Sequence, residues 1–449
     1  MKNNQIDMIS GAIFPKLMKF SLPLILSSIL QLLFNAADIV VVGRFAGDTS
    51  LAAVGSTNSL VNFLVNTFLG ISIGCNVVAA SFMGAGNSKQ VNQTVHTSIL
   101  LSFICGLIIT AVGVLFSRQI LILMASPEDV LDLSVLYLRI YFCGITATVV
   151  YNFGSALLRA KGDTKRPLFI LLASGILNVI LNLVFVIKFS LDVAGVAWAT
   201  VISQTLAAVC VLVILCTEQD SFKLEFKKLT LNKNIMAKVL KIGVPAGLQS
   251  SLFSLSNMVI QSTVNSFGSI AIAGSSVSQS IEGFVYISMN SIAQGCLTFV
   301  SQNAGAKKLD RVKKVVSTSL FCVSVVGILT GLFCILFDDL LFSFFTKNPL
   351  VIQKAAERFF IIAVTYFTCG IMDVMANSLR GLGWSLMPAV ITLIFVCGSR
   401  FIYLFTAFRL PELHSFQNIF LSYPLSWIIT FAVLLAAFVR VIKKEEKRF

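Results

Sequence analysis

The sequence predicts an all-α polytopic membrane protein with twelve transmembrane helices in two six-helix bundles, related by a pseudo-two-fold axis along the membrane normal. Its composition, recurrent apolar segments and internal repeat all indicate this class. The 449 residues are 57% hydrophobic and only 12% charged, about half the charged fraction of a soluble domain. Alternating barrel-type strands are not seen, so a porin is not expected.

Twelve apolar segments can be drawn, and each is long enough to cross a hydrocarbon core roughly 30 Å thick. Several exceed the bare spanning length, so tilted helices or extensions beyond the bilayer are expected. The segments lie at roughly 14–42, 51–82, 94–117, 131–158, 167–187, 193–216, 236–264, 270–302, 315–337, 350–379, 385–408 and 418–440.

The basic residues predict the orientation of these helices. With a cytoplasmic N-terminus, 25 of the 34 Lys and Arg residues fall in inside loops and tails, whereas five fall in outside loops. Such a bias is typical of loops that stay on the cytoplasmic side. We therefore expect a multi-pass protein of the inner (plasma) membrane with both termini in the cytoplasm.

The two halves of the chain repeat one another. KFSLPLILSSILQLLFNAADIVVVGRF (19–45) lines up with KIGVPAGLQSSLFSLSNMVIQSTVNSF (241–267), and LLRAKGDTKRP (157–167) lines up with SLRGLGWSLMP (378–388). Six helices per half return the chain to its starting side, so the halves share one orientation, as in many secondary transporters. The predicted domains are an N-terminal bundle, a cytoplasmic linker and a C-terminal bundle, at 1–216, 217–235 and 236–449.

Polar side chains recur at helical spacing inside the apolar segments. In lipid, the polar face of a helix points toward the bundle or a water-filled cavity. Each stripe alone is also explained by hydrogen bonds between helices, but so many together favour a lined cavity. The predicted cavity residues are Gln31, Asn35, Asn62, Asn257, Gln261, Glu282, Tyr286, Asp373 and Asn377, and Asn58 shares the stripe of Asn62.

Three acidic residues, Asp38, Glu282 and Asp373, lie well inside apolar segments. A carboxylate in hydrocarbon is costly unless it is paired, protonated or facing water. Asp38 can take up a proton, or hold Na⁺ if neutral oxygens complete the shell, and either event removes a buried charge. The alternative for each acid is a structural ion pair, with Arg139, Arg358 and Arg400 as candidate partners.

The chain resembles the multidrug and toxic compound extrusion (MATE) transporters of the bacterial type. The resemblance covers nearly the whole chain and rests on four stretches. They are PLILSSILQLLFNAADIVVVGRFAGDTSLAAVG (23–55), SALLRAKGDTKRP (155–167), AGVAWATVISQ (194–204) and FVYISMNSIAQGCLTFVSQNAGAKKLDRVKK (284–314). It implies a V-shaped pair of bundles that exchanges a cation for an organic solute by alternating access.

The resemblance also implies a cation-coupling cluster in the N-terminal half, at Asp38, Tyr137, Asn152, Asn178, Asn182 and Thr200. A Na⁺ ion would be held by Asp38, Asn178, Asn182 and Thr200. Many relatives have a second acid where this chain has Asn182, so Asp38 would carry the coupling alone, which favours H⁺ over Na⁺. A second departure is Phe253, where some relatives carry an acid, whereas Asp373 matches an acid of the tenth helix.

We therefore predict a cation-coupled antiporter that exports amphiphilic, often cationic organic compounds. The alternative on the same scaffold is a flippase for a lipid-linked oligosaccharide or a related precursor, which would favour a more cationic cavity to meet phosphate. An enzyme is not expected, because no nucleophile, base and ligand set converges. No ring-forming filter motif of an ion channel is seen either.

The remaining expectations concern cofactors and partners. No cofactor is expected apart from the coupling ion, H⁺ or Na⁺. The expected partners are small organic solutes and membrane lipids, with no nucleic acid, and the protein is taken to be a monomer.

Overall fold

Twelve long helices make up most of the chain in a computed structural model. It describes residues 5–124 and 126–447, apart from the side chains at positions 48, 51, 58, 59, 252, 254 and 255. The helices are α1 (Ile13–Phe45), α2 (Gly47–Gly84), α3 (Ser88–Leu123), α4 (Glu128–Lys161), α5 (Lys165–Lys188), α6 (Asp192–Thr217), α7 (Lys233–Asn265), α8 (Ser269–Gly305), α9 (Leu309–Leu336), α10 (Pro349–Gly381), α11 (Leu386–Arg409) and α12 (Ser422–Glu446).

Each of the twelve predicted segments coincides with one of these helices, so the all-α architecture is confirmed. Eleven helices of the described residues are long and apolar enough to cross a membrane. The exception is α7, which is rich in Ser and Asn and has three side chains outside the described residues. Most helices also extend beyond the predicted bounds, because polar residues at the ends continue the backbone hydrogen bonding.

Local sequence explains where several helices begin and end. Asn87 caps α3 by accepting a hydrogen bond from the backbone N–H of Gln90 at 3.1 Å, and Asn348 caps α10 in the same way, with Pro349 as the first helical residue. Asn at such positions satisfies a backbone donor that has no partner within the helix. The helix α4 ends at Gly162, whose φ of 97° suits glycine.

Two helices contain a wider, π-helical turn. It occupies Val184–Lys188 at the end of α5 and Leu393–Cys397 in the middle of α11. Such turns are rare in proteins, and those that occur are often found at functional sites. Both lie close to the polar groups described below.

The chain divides into two compact units, and the divisions fall inside α1 and α7. Among the described residues, unit 1 contains 5–6 and 26–247, and unit 2 contains 7–25 and 248–447. The domains predicted from the sequence follow chain order, with the division in the linker at 217–235. The compact units instead place the first half of α1 with the C-terminal helices, and the first half of α7 with the N-terminal helices. The divisions follow Pro23 and Pro245 closely, and proline removes a helical hydrogen bond.

Glycines let these half-helices approach their neighbours. In unit 1, a Cβ on Gly70 of α2 would lie 2.2 Å from the Cα of Gly247 on α7. In unit 2, a Cβ on Gly295 of α8 would lie 2.8 Å from Ser21 Oγ on α1. Small residues at such contacts are typical of packed membrane helices. Larger side chains at either position would separate the helices.

The linker after α6 is folded against α3. Asn92 Nδ2 donates hydrogen bonds to the backbone oxygens of Ser221 and Lys223, at 3.3 and 3.0 Å. The backbone N–H of Glu225 donates to His96 Nε2 at 3.1 Å. These contacts make the longest polar connection of the chain an ordered part of unit 1.

Candidate functional site

Asp38 lies on α1 in unit 1, where its carboxylate is partly buried. Its Oδ1 accepts a hydrogen bond from Nδ2 of Asn182, which is fully buried on α5. Among the described residues, no Lys, Arg or His forms an ion pair with Asp38. The predicted carboxylate therefore has a neutral amide as its partner.

A series of hydrogen-bonded polar side chains continues from Asn182 to α6. It consists of Asp38, Asn182, Asn178 and Thr200 and is called the Asp38 chain below. Asn182 Nδ2 also donates to Asn178 Oδ1 at 3.3 Å, because the two residues are one turn apart and share a face of α5. Asn178 Nδ2 in turn lies 3.5 Å from Thr200 Oγ1, and Thr200 donates to the backbone oxygen of Val196 at 3.0 Å. Four of the six predicted coupling residues are thus brought together.

One oxygen of the Asp38 chain has no hydrogen-bond donor among the described residues. The side-chain oxygen of Asn182 is buried and accepts no hydrogen bond from the described residues. A buried acceptor without a donor loses hydration without replacement, which is unfavourable. Beside a carboxylate, such an oxygen suits a proton carried by Asp38 or a small cation bound by oxygen atoms.

The two predicted ligands on α4 are placed differently. Tyr137 is 7% exposed, stacks on Tyr141 with ring centroids 6.2 Å apart, and is close enough to Asp38 to interact electrostatically. Asn152 lies fifteen residues further along α4, about 22 Å at 1.5 Å per residue. No hydrogen bond within the described part of the chain joins Asn152 to the Asp38 chain. Tyr137 and Asn152 cannot contact the same small ion.

Glu282 corrects the predicted cavity lining. Its carboxylate on α8 is buried and accepts two hydrogen bonds from Arg358 of α10, both at 2.9 Å. Ser278 Oγ donates to the same carboxylate at 2.7 Å. Because both oxygens are occupied and the residue is 7% exposed, Glu282 is a member of a structural ion pair rather than of an open polar surface.

Asp373 and Asn377 lie on α10 in a second polar cluster. Asn377 Nδ2 donates to the backbone oxygen of Asp373, and its Oδ1 accepts from Arg380 Nη1, both at 3.0 Å. Arg380 Nη2 also donates to Gln249 at 2.6 Å. Asp373 Oδ2 is buried with no hydrogen-bond donor among the described residues. Tyr286 of α8 is close to Asp373 and 37% exposed.

The other predicted cavity residues are mostly exposed. The exposed members are Gln31, Asn35, Asn62 and Asn257, whereas Gln261 is half-buried. Gln261 accepts a hydrogen bond from Gln279 of α8 at 3.3 Å. The side chain of Asn58 lies outside the described residues. Exposed amide side chains on otherwise apolar helices are expected to face water rather than lipid. These residues therefore stay candidates for contact with the solute.

Sequence reasoning missed Arg380 and Gln249 as members of the Asp373 cluster. Arg380 directly follows the apolar segment predicted at 350–379, so the sequence places it in an inside loop. The spacing of Asp373, Asn377 and Arg380 at four and three residues was a usable signal, since it places all three on one face of a helix.

The comparisons with known proteins agree with this architecture. The MatE family model matches residues 23–184 and again residues 245–406, which together make up more than half of the chain. The chain belongs to the MatE family. The double match also confirms the internal repeat, because it pairs Pro23 with Pro245. Membership of this family places the chain among membrane transporters.

Two curated relatives match most of the chain. The probable multidrug resistance protein YoeA of Bacillus subtilis is 27% identical over 436 residues, which cover 95% of this chain and 94% of that protein. The multidrug export protein MepA of Staphylococcus aureus is 24% identical over 366 residues, covering 81% of this chain and 80% of that protein.

A solved structure has the same fold. It is described as the outward-facing conformation of a multidrug resistance MATE family transporter of the MOP superfamily. This chain is 18% identical to it, with a TM-score of 0.91 and complete coverage of both chains. The chain is thus a polytopic α-helical membrane protein of this fold.

Proposed function

We propose that this protein is a cation-coupled antiporter that exports amphiphilic organic compounds across the cell membrane by alternating access, with Asp38 as the coupling carboxylate. The names of the multidrug relatives support the class of solute. The observation that carries the coupling assignment is the Asp38–Asn182 pair, in which a carboxylate without a cationic partner lies beside a buried amide oxygen without a donor.

The chemistry of the pair suits a reversible neutralisation. A proton on Asp38 cancels a charge that is expensive to keep away from water. A Na⁺ ion would be held by oxygens of Asp38, Asn178, Asn182 and Thr200. With one carboxylate the attraction for Na⁺ is weaker than with two, so we favour H⁺ as the coupling ion.

Neutralisation of Asp38 alters the forces on α1. The charged carboxylate holds the amide of Asn182 and so ties α1 to α5. When that charge is lost the tie weakens, and α1 has a place to bend because Pro23 lacks a backbone N–H. We propose that this change selects the side of the bilayer to which the solute path opens. Both termini would be cytoplasmic, because loops rich in Lys and Arg are usually retained on that side.

The test is transport in proteoliposomes, with a pH gradient or a Na⁺ gradient imposed separately and a fluorescent organic cation as the solute. One of the two gradients should drive uptake by the wild-type protein. Asp38→Asn should reduce gradient-driven uptake about 100-fold, as expected for an essential protonation site, while equilibrium binding of the dye changes little.

A matched control is Asp132→Asn. Asp132 is an exposed acid of unit 1 that pairs with Arg118 at 2.8 Å. Its variant should transport like the wild type. If neither gradient drives uptake, the antiporter proposal is wrong. If Asp38→Asn keeps full gradient-driven uptake, the assignment of Asp38 as the coupling carboxylate is wrong.

A further inference from the structure

Arg400 is a buried arginine of α11, three residues after the π-helical turn. It is 1% exposed. Its Nε donates to Ser426 Oγ at 3.2 Å, and its Nη1 donates to Asn257 Oδ1 at 3.0 Å. Its Nη2 is buried and has no acceptor among the described residues. The guanidinium group therefore has an unused donor in the interior of unit 2.

No carboxylate of the described residues pairs with Arg400. The other interior arginines of unit 2 differ, because Arg358 binds Glu282 through two hydrogen bonds and Arg380 lies near Asp373. The groups around Arg400 are neutral. Its guanidinium carbon lies 4.3 Å from the ring centroid of Tyr423 and 5.6 Å from that of Phe253.

This environment is unfavourable for a permanent charge. Arginine stays protonated in proteins, so Arg400 cannot escape burial by losing its proton. Buried charges are normally paired or fully hydrogen-bonded, because hydration is lost and must be replaced. An ionisable residue inside a membrane bundle without a partner is by default a candidate functional group.

We propose that Arg400 is a specificity-determining residue that receives an anionic group, such as a carboxylate, of the transported solute. This inference rests on the proposed export function and adds to its substrate class a preference for amphiphiles that carry an anionic group, zwitterions included, over simple cations. A carboxylate would supply the missing acceptor for Nη2 and the missing counter-charge. Arginine suits this task because its planar fork can donate two parallel hydrogen bonds.

The side chains around Arg400 supply a route and a binding surface. Asn257 is exposed on α7 and binds Nη1, so it stands between Arg400 and solvent. Rotation of its amide frees Nη1 and leaves both terminal nitrogens available to one carboxylate. The rings of Phe253 and Tyr423 flank the guanidinium and offer flat apolar contacts to the rest of an amphiphile.

The test compares two dyes that differ only at one group. Rhodamine 110 carries a free carboxylate, and rhodamine 123 is its methyl ester and a simple cation. Fluorescence anisotropy with the purified full-length protein measures the affinity for each. The wild type should bind the free acid about tenfold more tightly than the ester, as expected for one charge-assisted contact.

Three variants separate charge from folding. Arg400→Gln should weaken binding of rhodamine 110 about tenfold and change binding of rhodamine 123 less than about threefold. Asn257→Asp keeps the arginine but gives it a counter-ion within the protein. It should therefore weaken binding of rhodamine 110 to a similar extent. Arg400→Lys keeps the positive charge but loses the planar guanidinium group with its parallel donors. It should retain part of the preference for rhodamine 110.

Asn265→Asp is the matched control. It makes the same chemical change on the same helix, eight residues and about 12 Å away from Asn257. Asn265 is exposed and already accepts a hydrogen bond from Gln261 through Oδ1, an atom that the variant retains. Its effect on either dye should stay within about twofold, because a solvent-exposed charge at this distance is screened.

Three outcomes would overturn the proposal. They are a wild-type protein with no preference for the free acid, an Arg400→Gln protein that keeps the preference, and equal weakening of both dyes, which would indicate a structural arginine. Failure of the proposed function is distinguishable, since it is measured as the loss of gradient-driven uptake and does not depend on which dye binds better.

Discussion

The Asp38 chain of unit 1 and the Arg400 cluster of unit 2 occupy repeated helices but carry opposite charges. The Arg400 cluster consists of Arg400 and its two hydrogen-bond partners, Asn257 and Ser426. The helices α1 and α5 of the first repeat correspond to α7 and α11 of the second. Counted from the start of each family match, Asn257 stands at the place of Asn35, and Arg400 stands at the place of Asn178. One scaffold therefore presents an acid in one unit and a base in the other.

The difference suggests a division of labour between the units. In each unit the notable interior charge lacks an oppositely charged partner within the described residues, and a buried amide oxygen or guanidinium nitrogen nearby has no hydrogen bond. The Glu282–Arg358 pair differs, because each of its carboxylate oxygens and each of its guanidinium nitrogens has a hydrogen-bond partner. We infer that the fully hydrogen-bonded Glu282–Arg358 pair holds helices of its own unit together, whereas Asp38 and Arg400 bind the coupling ion and the solute, respectively.

The largest expected effect tests the structural side of this comparison. Glu282→Gln should lower the free energy of unfolding by about 3–5 kcal/mol, because it leaves Arg358 buried without its counter-charge. The measurement is thermal unfolding of the purified protein in detergent, calibrated against chemical denaturation.

The control for that change is Glu357→Gln. Glu357 pairs with Lys354 at 2.7 Å, and the Lys354 side chain is 35% exposed. A partly exposed pair contributes at most about 1 kcal/mol. Equal destabilisation by the two variants would remove the distinction between saturated interior pairs and other ion pairs.

The next largest effect concerns the Asp38 chain of unit 1, the acidic member of the comparison. Asn182→Asp adds a second carboxylate next to Asp38, and two carboxylates attract a cation more strongly than one. The variant should bind Na⁺ about tenfold more tightly than the wild type, equivalent to about 1.4 kcal/mol, and should use a Na⁺ gradient for transport.

The measurement is Na⁺-dependent uptake in proteoliposomes, with choline replacing Na⁺ as the ionic control. An Asn182→Asp protein that remains insensitive to Na⁺ would show that the oxygens around Asp38 do not form a cation site.

The smallest effect concerns the far end of the Asp38 chain. Thr200→Val removes the hydroxyl that lies 3.5 Å from Asn178 Nδ2. A single neutral hydrogen bond contributes about 0.5–1.5 kcal/mol, and this one is long, so the apparent affinity for the coupling ion should fall about threefold.

Thr205→Val is the matched control. Thr205 lies on the same helix and, like Thr200, donates to the backbone oxygen four residues earlier, but it is exposed. Its variant should have the wild-type affinity for the coupling ion. Identical behaviour of the two valine variants would exclude Thr200 from the coupling chain.

The residue pattern alone predicted the twelve helices and the repeat, whereas the grouping of Asp38 with Asn178, Asn182 and Thr200 was implied by the family resemblance. Helices in lipid must satisfy their own backbone hydrogen bonds, so the length of an apolar segment is a strong signal. The four-residue spacing of Asn178 and Asn182 fixed their common face. The pairing of Glu282 with Arg358 was one of several options, because the contact between α8 and α10 depends on packing that spacing within one helix does not encode.

The sequence also did not predict that α1 and α7 are each divided between the two compact units. Pro23 and Pro245 mark a possible break in each helix, but they do not say which neighbours each half will contact. That choice depends on glycines far away along the chain, such as Gly70 and Gly295. The lack of a carboxylate beside Arg400 among the described residues is of the same kind, since it depends on every side chain packed around the guanidinium group.

The exchange of half-helices has a consequence for biosynthesis. When the ribosome has translated residues 1–216, the first unit still lacks the start of α7, and it becomes complete only after Gly247 has emerged. The second unit in turn waits for its own helices while residues 7–25, synthesised first, are already in the bilayer. Each unit therefore needs residues from both halves of the chain. We expect two fragments cut in the linker to yield stable protein only when both are made in the same cell.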